Sequence, residues 1–132
     1  MRIPIFSVDG VEYPGVNVIS LERTFAVMDG ENAGRTMDGA MRRDIIGTYY
    51  NYNMELTSDY SDLSEYDKLY EVLSAPVDSH TIVVPYAQGT LEFKAYVANG
   101  TDNLLHKRPA FNKWNNLTVN FVAMKPQRRP AG

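Results

Sequence analysis

The sequence predicts a mainly β (α+β) fold, an antiparallel β-sandwich or half-barrel with one flanking helix at about 62–74. Residues 46–56 and 90–98 alternate between two faces with a period of two, as half-buried strands do. Between Leu63 and Leu73 the apolar side chains recur at three- and four-residue spacing, which predicts a single amphipathic helix. One helix among several strands is typical of a sheet fold in which the helix covers one end or edge.

Each element is predicted from a local signal. Asp62, with Glu65 three residues later, is typical of a helix N-terminal cap, and Ala75-Pro76 ends the helix. The polar stretch 101–116 is predicted to be irregular. The predicted strands span 3–6, 16–27, 46–56, 81–86, 90–98 and 117–124.

Length and composition indicate one domain. A chain of 132 residues, 44% of them hydrophobic, is long enough to bury a single core without covalent cross-links. We expect a single β-rich domain over 1–125 and a mobile basic tail over 126–132, where the sequence is rich in proline and arginine. The chain has no cysteine, which excludes disulfides, thiolate metal sites and a cysteine nucleophile.

No motif for catalysis or cofactor binding is found. The two histidines, His80 and His106, lack a paired ligand at metal-binding spacing. There is no phosphate-binding glycine loop and no nucleophile elbow. No segment has the length and apolarity of a signal peptide or a membrane span. We therefore expect a non-enzymatic protein without cofactor or metal and without a membrane partner.

The charged residues are segregated along the chain. Between 53 and 80 there are seven acidic residues and one lysine, whereas between 100 and 129 there are six basic residues and one aspartate. The net charge of −3 does not favour a general nucleic-acid binder. An acidic middle and a basic last third would give two unlike faces suited to contacts between copies. The alternative is that both are solvated surface without a partner.

The segment 29–43 is predicted to be a long loop that contacts a neighbouring subunit. It is longer than the usual hairpin connection, its glycines raise its conformational entropy, and no apolar run anchors it, so order supplied by a neighbour is expected. If the strand pattern has already begun at Arg42 and Arg43, these side chains point to opposite sides. One would then meet its own domain and the other an acid of an adjoining copy, with Glu65 and Glu71 of the helix as candidates.

A second hypothesis is carbohydrate binding. The strand 46–56 is rich in tyrosine and asparagine, which stack on sugar rings and hydrogen-bond to their hydroxyl groups. The candidate glycan contacts are Tyr50, Tyr52 and the loop around Trp114. The alternative is a strand whose polar side faces solvent.

Four segments together resemble small tail proteins encoded in phages and prophages of Gram-positive bacteria. They are GRTMDGAMRRDIIGTYYNYNMEL, YDKLYEVLSAPVDSH, TIVVPYAQGTLEFKAYV and WNNLTVNFVAMKPQ, within 16–127. The order of elements is also similar to the tail-tube fold, a β-sandwich with one flanking helix that builds a ring. In that fold an extended loop between strands contacts the next ring.

The resemblance implies a structural protein of the virion tail, assembled in the cytoplasm of the bacterial host. Its partners would be further copies of itself, in rings or stacked rings, and other tail proteins. A tube, a distal-tail and a baseplate-adaptor component are all compatible with it. By this similarity the segment 28–43 would be the stacking loop, and the interface residues would be Arg35, Met37, Asp38, Arg42 and Arg43.

Overall fold

The computed structural model describes residues 5–30 and 34–130 and confirms the mainly β, antiparallel architecture with one flanking helix. The elements, in order, are β1 (Ser7–Val8), β2 (Val11–Glu12), β3 (Asn17–Asp29), β4 (Gly34–Arg35), β5 (Met41–Arg42), β6 (Ile45–Thr57), α1 (Leu63–Leu73), β7 (His80–Tyr86), β8 (Gly89–Tyr96), β9 (Gly100–Lys107) and β10 (Asn112–Ala123).

Strand β10 joins the two parts of the sheet. Its residues Leu117–Phe121 pair with β6, while Val122 and Ala123 pair with β8. The strand order is β2-β1-β7-β8-β10-β6-β3, and β9 pairs with β10 between Asn112 and Val119. Because β10 exchanges β9 for β8 along its length, the sheet bends there and encloses a core, as a sandwich or half-barrel does.

The predicted alternation of β6 is confirmed by burial. Tyr52, Met54 and Leu56 are all at most 1% exposed, and they face the core together with Val119 and Phe121 of β10. The residues between them are only partly buried. A period-two pattern therefore sets which side of β6 enters the core.

Helix α1 packs its apolar stripe on this core through Tyr66, Leu69 and Leu73. The Asp62 side chain accepts a hydrogen bond from the Glu65 backbone N–H (3.4 Å), as the predicted cap requires. The Glu65 carboxylate does not return to the cap but accepts a hydrogen bond from the backbone N–H of Gly15. In the described part of the chain, no helix has the length and apolarity needed to cross a membrane.

The stretch 101–116, predicted to be irregular, is largely extended. It contains β9 and the first part of β10, which pair from Lys107↔Asn112 to Gly100↔Val119 with two register shifts. Strand β9 is mostly exposed, so its stability comes from backbone pairing and needs no apolar alternation. The left-handed φ of Asn116 (+56°) lies in the second irregularity.

Gln127 and Arg128 follow β6, although the sequence predicted a mobile tail over 126–132; residues 131 and 132 of that tail lie outside the described residues. The Arg128 carbonyl accepts a hydrogen bond from the Thr48 N–H (2.8 Å). The Gln127 side chain bonds both backbone groups of Tyr50, each at 2.8 Å. Backbone groups of β6 that β10 leaves unpaired are thus satisfied by the tail, which explains its position.

Candidate functional site

The ends of β3 and β6 form a ribbon that projects beyond the point where β10 stops pairing with β6. The last such pair is Phe121↔Tyr52, whereas β3 and β6 stay paired from Phe25↔Tyr50 to Asp29↔Ile45. We call the described residues 25–30 and 34–50 the arm. Strand β3 is the edge of the sheet, so one side of the arm has no neighbouring strand within the described residues.

The arm exposes large apolar side chains of the kind that a globular protein normally buries in its core. Phe25 is 73% exposed, and Met37 at the tip is fully exposed. Both faces of the ribbon carry such residues, since Phe25 and Met28 lie on opposite sides of β3. The exposed set is Phe25, Val27, Met28, Met37, Met41, Ile45 and Ile46. Apolar patches of this kind mark interaction surfaces.

The tip of the arm is closed by its own hydrogen bonds. The Thr36 N–H donates to the Ala40 carbonyl (2.7 Å), and the Arg35 guanidinium donates to the Gly39 carbonyl (3.0 Å). Asp38 accepts from the Thr36 hydroxyl and from the Ala40 N–H, and these bonds lower the pKa of its carboxyl group. The predicted interface residues Arg35 and Asp38 therefore shape the turn, which leaves Met37 projecting from it.

Arg42 and Arg43 differ in their contacts. The Arg43 guanidinium makes a bidentate pair with Asp29 (3.0 and 3.1 Å) and a longer bond to the Val27 carbonyl. The Arg42 side chain is exposed and has no hydrogen bond or ion pair with the described residues, although its backbone pairs with Gly34. Arg43 thus stabilises its own arm, and Arg42 is the residue available to a neighbour.

Glu65 and Glu71, the two helix acids predicted to contact an adjoining copy, also differ in their contacts. Glu65 is held within its own domain by the bond from Gly15. Glu71 is exposed and lies one turn from exposed Asp67. Of the two, Glu71 is therefore the better placed for an intermolecular contact.

The residues predicted to contact a glycan do not share one surface. Tyr52 is 1% exposed, and its hydroxyl donates to the Pro85 carbonyl (2.9 Å), so its assignment as a glycan contact is wrong. Tyr50 is half-buried against Tyr86, with the ring centroids 5.2 Å apart. Trp114 lies near the opposite end of β6, on the far side of the Leu117↔Leu56 pair.

Trp114 instead lines a groove of about 440 Å³ between α1 and the β9–β10 pair. The Tyr66 hydroxyl donates to Asp102 there (2.9 Å), and burial followed by this bond raises the pKa of Tyr66. We call this the helix groove; it is lined by Tyr66, Asp67, Tyr70, Glu71, Asp102 and Trp114. It combines aromatic rings with carboxylates.

A second cluster lies at the base of the arm. The Arg23 guanidinium lies over the Tyr86 ring, 5.3 Å from its centroid, and the Tyr86 and Tyr50 hydroxyls are 3.3 Å apart. Arg128 donates to the Tyr50 hydroxyl (3.5 Å), and this bond, with that from Tyr86, lowers the pKa of Tyr50. We call Arg23, Tyr50, Tyr86 and Arg128 the arginine–tyrosine cluster. Sequence reasoning missed it because its members come from four separate segments.

The basic last third of the sequence is divided in space. Lys113 is buried, where its ammonium group donates to Ser58 and lies over the Tyr60 ring, and burial lowers its pKa. Lys107 and Arg108 lie at the β9–β10 turn, whereas Arg128 reaches the base of the arm. The predicted basic face is therefore two separate patches.

The residues described by the structure contain no group of three or more histidine, cysteine or acidic side chains arranged to hold a metal ion. No family model matches the sequence. A search of curated proteins found no significant match.

Proposed function

We propose that the protein is a non-enzymatic structural component of a phage tail or tail-like particle, which assembles into a ring or joins rings through its arm. It would be assembled in the cytoplasm of the bacterial host, with further copies of itself and other tail proteins as partners. The observation that carries the proposal is the arm, a projecting two-stranded ribbon with apolar side chains on both faces. The resemblance of the sequence to phage tail proteins supports the same function.

The exposure of the arm has an energetic cost that assembly would remove. An aromatic side chain has about 150–250 Å² of surface, so the 73% exposure of Phe25 leaves about 110–180 Å² in water. At 25 cal/mol per Å², covering this area contributes about 2.8–4.5 kcal/mol as an upper estimate. A heterologous contact of this kind, repeated between copies, closes into a ring or continues as a stack.

Substitution of arm residues tests the proposal directly. We expect Phe25→Ser and Met37→Ser to reduce assembly of the purified protein, while thermal unfolding of the monomer changes little because both side chains are exposed. Val77→Ser is the matched control, since Val77 is also exposed (56%) but lies outside the arm. Assembly is measured by light scattering and negative-stain microscopy. A parent protein that stays monomeric at high concentration, and forms no ring when co-expressed with other tail proteins, would contradict the proposal.

Arg42→Ala and Arg43→Ala separate an intermolecular role from an intramolecular one. Truncating one partner of an interfacial charge pair costs about 2–5 kcal/mol, so Arg42→Ala should weaken association by at least about 30-fold without changing the melting temperature. Arg43→Ala removes the half-exposed pair with Asp29, which contributes at most about 1 kcal/mol. Two variants that both assemble like the parent, or both unfold, would exclude this role for the arm.

A second candidate function, carbohydrate binding, is favoured by the helix groove. Trp114 and Tyr70 provide aromatic surface there, beside the carboxylates of Glu71 and Asp102. Binding to a glycan array that is lost in Trp114→Ala, but retained in Phe25→Ser, would favour this function over assembly through the arm.

A further inference from the structure

The arginine–tyrosine cluster brings two guanidinium groups to one pair of tyrosines. Tyr86 supports Arg23 through its ring, and Tyr50 accepts a hydrogen bond from Arg128. The two tyrosines are themselves in edge-to-face contact at 5.2 Å. Arg23 is thus positioned by a cation–π contact, and Arg128 by a phenol hydroxyl and by its backbone bonds to Thr48; among the described residues neither pairs with a carboxylate.

Most of the hydrogen-bond donors of these arginines are unused. Among the described residues, neither Arg23 nor Arg128 forms an ion pair, and the Arg128 bond to Tyr50 is long (3.5 Å). Both side chains are exposed at the base of the arm. A guanidinium group presents a planar fork of donors that matches carboxylate or phosphate oxygens.

We propose that the arginine–tyrosine cluster is a carboxylate-binding site, and that Asp67 and Glu71 of a second copy of this chain occupy it. This inference rests on the proposed function, because it names the surface that receives the neighbouring subunit.

The helix provides two exposed carboxylates, the same number as the guanidinium groups of the cluster. Asp67 and Glu71 are four residues apart on α1, which places them on one face with their Cβ atoms about 5–6 Å apart. Both side chains are exposed, and neither carboxylate has a hydrogen bond or ion pair with the residues that the structure describes. Two unpaired carboxylates on one copy are thus complementary to two unpaired guanidinium groups on the next.

The two surfaces lie toward opposite ends of β6. The cluster is at Tyr50, whereas the helix groove containing Asp67 and Glu71 includes Trp114, beyond the Leu117↔Leu56 pair. Six residues of extended strand separate Tyr50 from Leu56, a distance of about 20 Å. Complementary groups at opposite ends of one molecule favour head-to-tail contacts, which repeat from copy to copy.

Charge reversal within one chain tests the pairing. Arg23→Glu/Arg128→Glu and Asp67→Arg/Glu71→Arg should each weaken self-association by at least about 30-fold, whereas the chain with all four substitutions should recover it. Association is measured by sedimentation velocity, and circular dichroism checks that each variant folds. Lys107→Glu/Arg108→Glu makes the same charge change at the β9–β10 turn and should assemble like the parent.

Two results would overturn the pairing. One is a folded four-substitution chain that does not recover assembly, or two-substitution chains that assemble like the parent. The other is that Arg42→Glu, and not Arg23→Glu/Arg128→Glu, restores self-association of the Asp67→Arg/Glu71→Arg chain. That result would assign the helix carboxylates to the arm.

A parent protein that does not assemble at all would refute the proposed function, and the cluster is then tested alone. Inorganic phosphate is titrated into the parent and into Arg23→Glu/Arg128→Glu, and the Tyr50 ring resonances are followed by NMR. A response in the parent alone would retain an anion site but overturn the second copy as its occupant. No response in either protein would overturn the site itself.

Discussion

Substitution of Gly47 by alanine should detach the C-terminal residues from β6. Gly47 has a φ of +156°, and a Cβ built on it would lie 2.7 Å from Pro126 Cβ and closer still to the Arg128 carbonyl oxygen. Carbon atoms in van der Waals contact are about 3.5–4.0 Å apart, so residues 126–128 must move by about 1 Å. The Thr48 N–H to Arg128 bond would lengthen from 2.8 Å to about 3.8 Å, beyond hydrogen-bond range.

The magnitude follows from the bonds that would be lost. Thr48 bonds the tail through both of its backbone groups. Its N–H donates to the Arg128 carbonyl, and its carbonyl accepts one shared, three-centre bond from the N–H groups of Gln127 (3.0 Å) and Arg128 (3.3 Å). Each bond contributes about 0.5–1.5 kcal/mol net, so their loss costs about 1–3 kcal/mol and raises the detached fraction about 5- to 150-fold. This estimate counts only the Thr48 bonds and leaves the side-chain bonds of Gln127 to Tyr50 intact.

Limited trypsin digestion measures this detachment. Within residues 125–129, the Arg128–Arg129 peptide bond is the one that trypsin can cleave, since Lys125 and Arg129 each precede proline. Gly47→Ala should be cleaved there faster than the parent by the factor above. Gly34→Ala is the matched control, because a Cβ at Gly34 meets no atom within 4 Å in the described structure. Equal cleavage of Gly47→Ala and the parent would refute the close approach of the tail to β6.

Two further predictions concern pH. Desolvation opposes ionisation of Asp9, but the bonds from His80 (2.7 Å) and from a backbone N–H outweigh it and lower its pKa below 3.8. This stabilisation is present above pH 3.8 and is lost as pH falls below it. Asp9→Asn should therefore lower the free energy of unfolding by about 1 kcal/mol at pH 7, and the difference should shrink below about pH 4 in urea titrations. Burial and the bond to Asp102 raise the pKa of Tyr66, so its stabilisation is present below pH 10 and lost above it. Tyr66→Phe should cost about 1.5–3 kcal/mol at pH 7, with a smaller loss of stability above pH 10 than the parent; parallel pH profiles would contradict this.

The alternating residues of β6 show which structural features a local sequence pattern can predict. The sequence places Tyr50, Tyr52, Met54 and Leu56 on one face, and the structure buries the last three. The same pattern contained the signal against Tyr52 as a glycan contact, because it shares a face with apolar residues. The position of the arm was also predictable, since 29–43 has no core pattern, but the extension of the ribbon back to Phe25 was not.

The sequence by itself determined the mainly β class, the single helix and the core face of β6, because these depend on periodicities of two and 3.6 residues within one segment. Only the tertiary structure decided that Arg23, Tyr50, Tyr86 and Arg128 meet, and that Lys113 is buried while the Arg42 side chain is free of partners among the described residues. Those outcomes depend on which strands pair and on how the whole chain buries its apolar surface. The free energy of burying that surface is shared among segments far apart in sequence, so no local pattern predicts it.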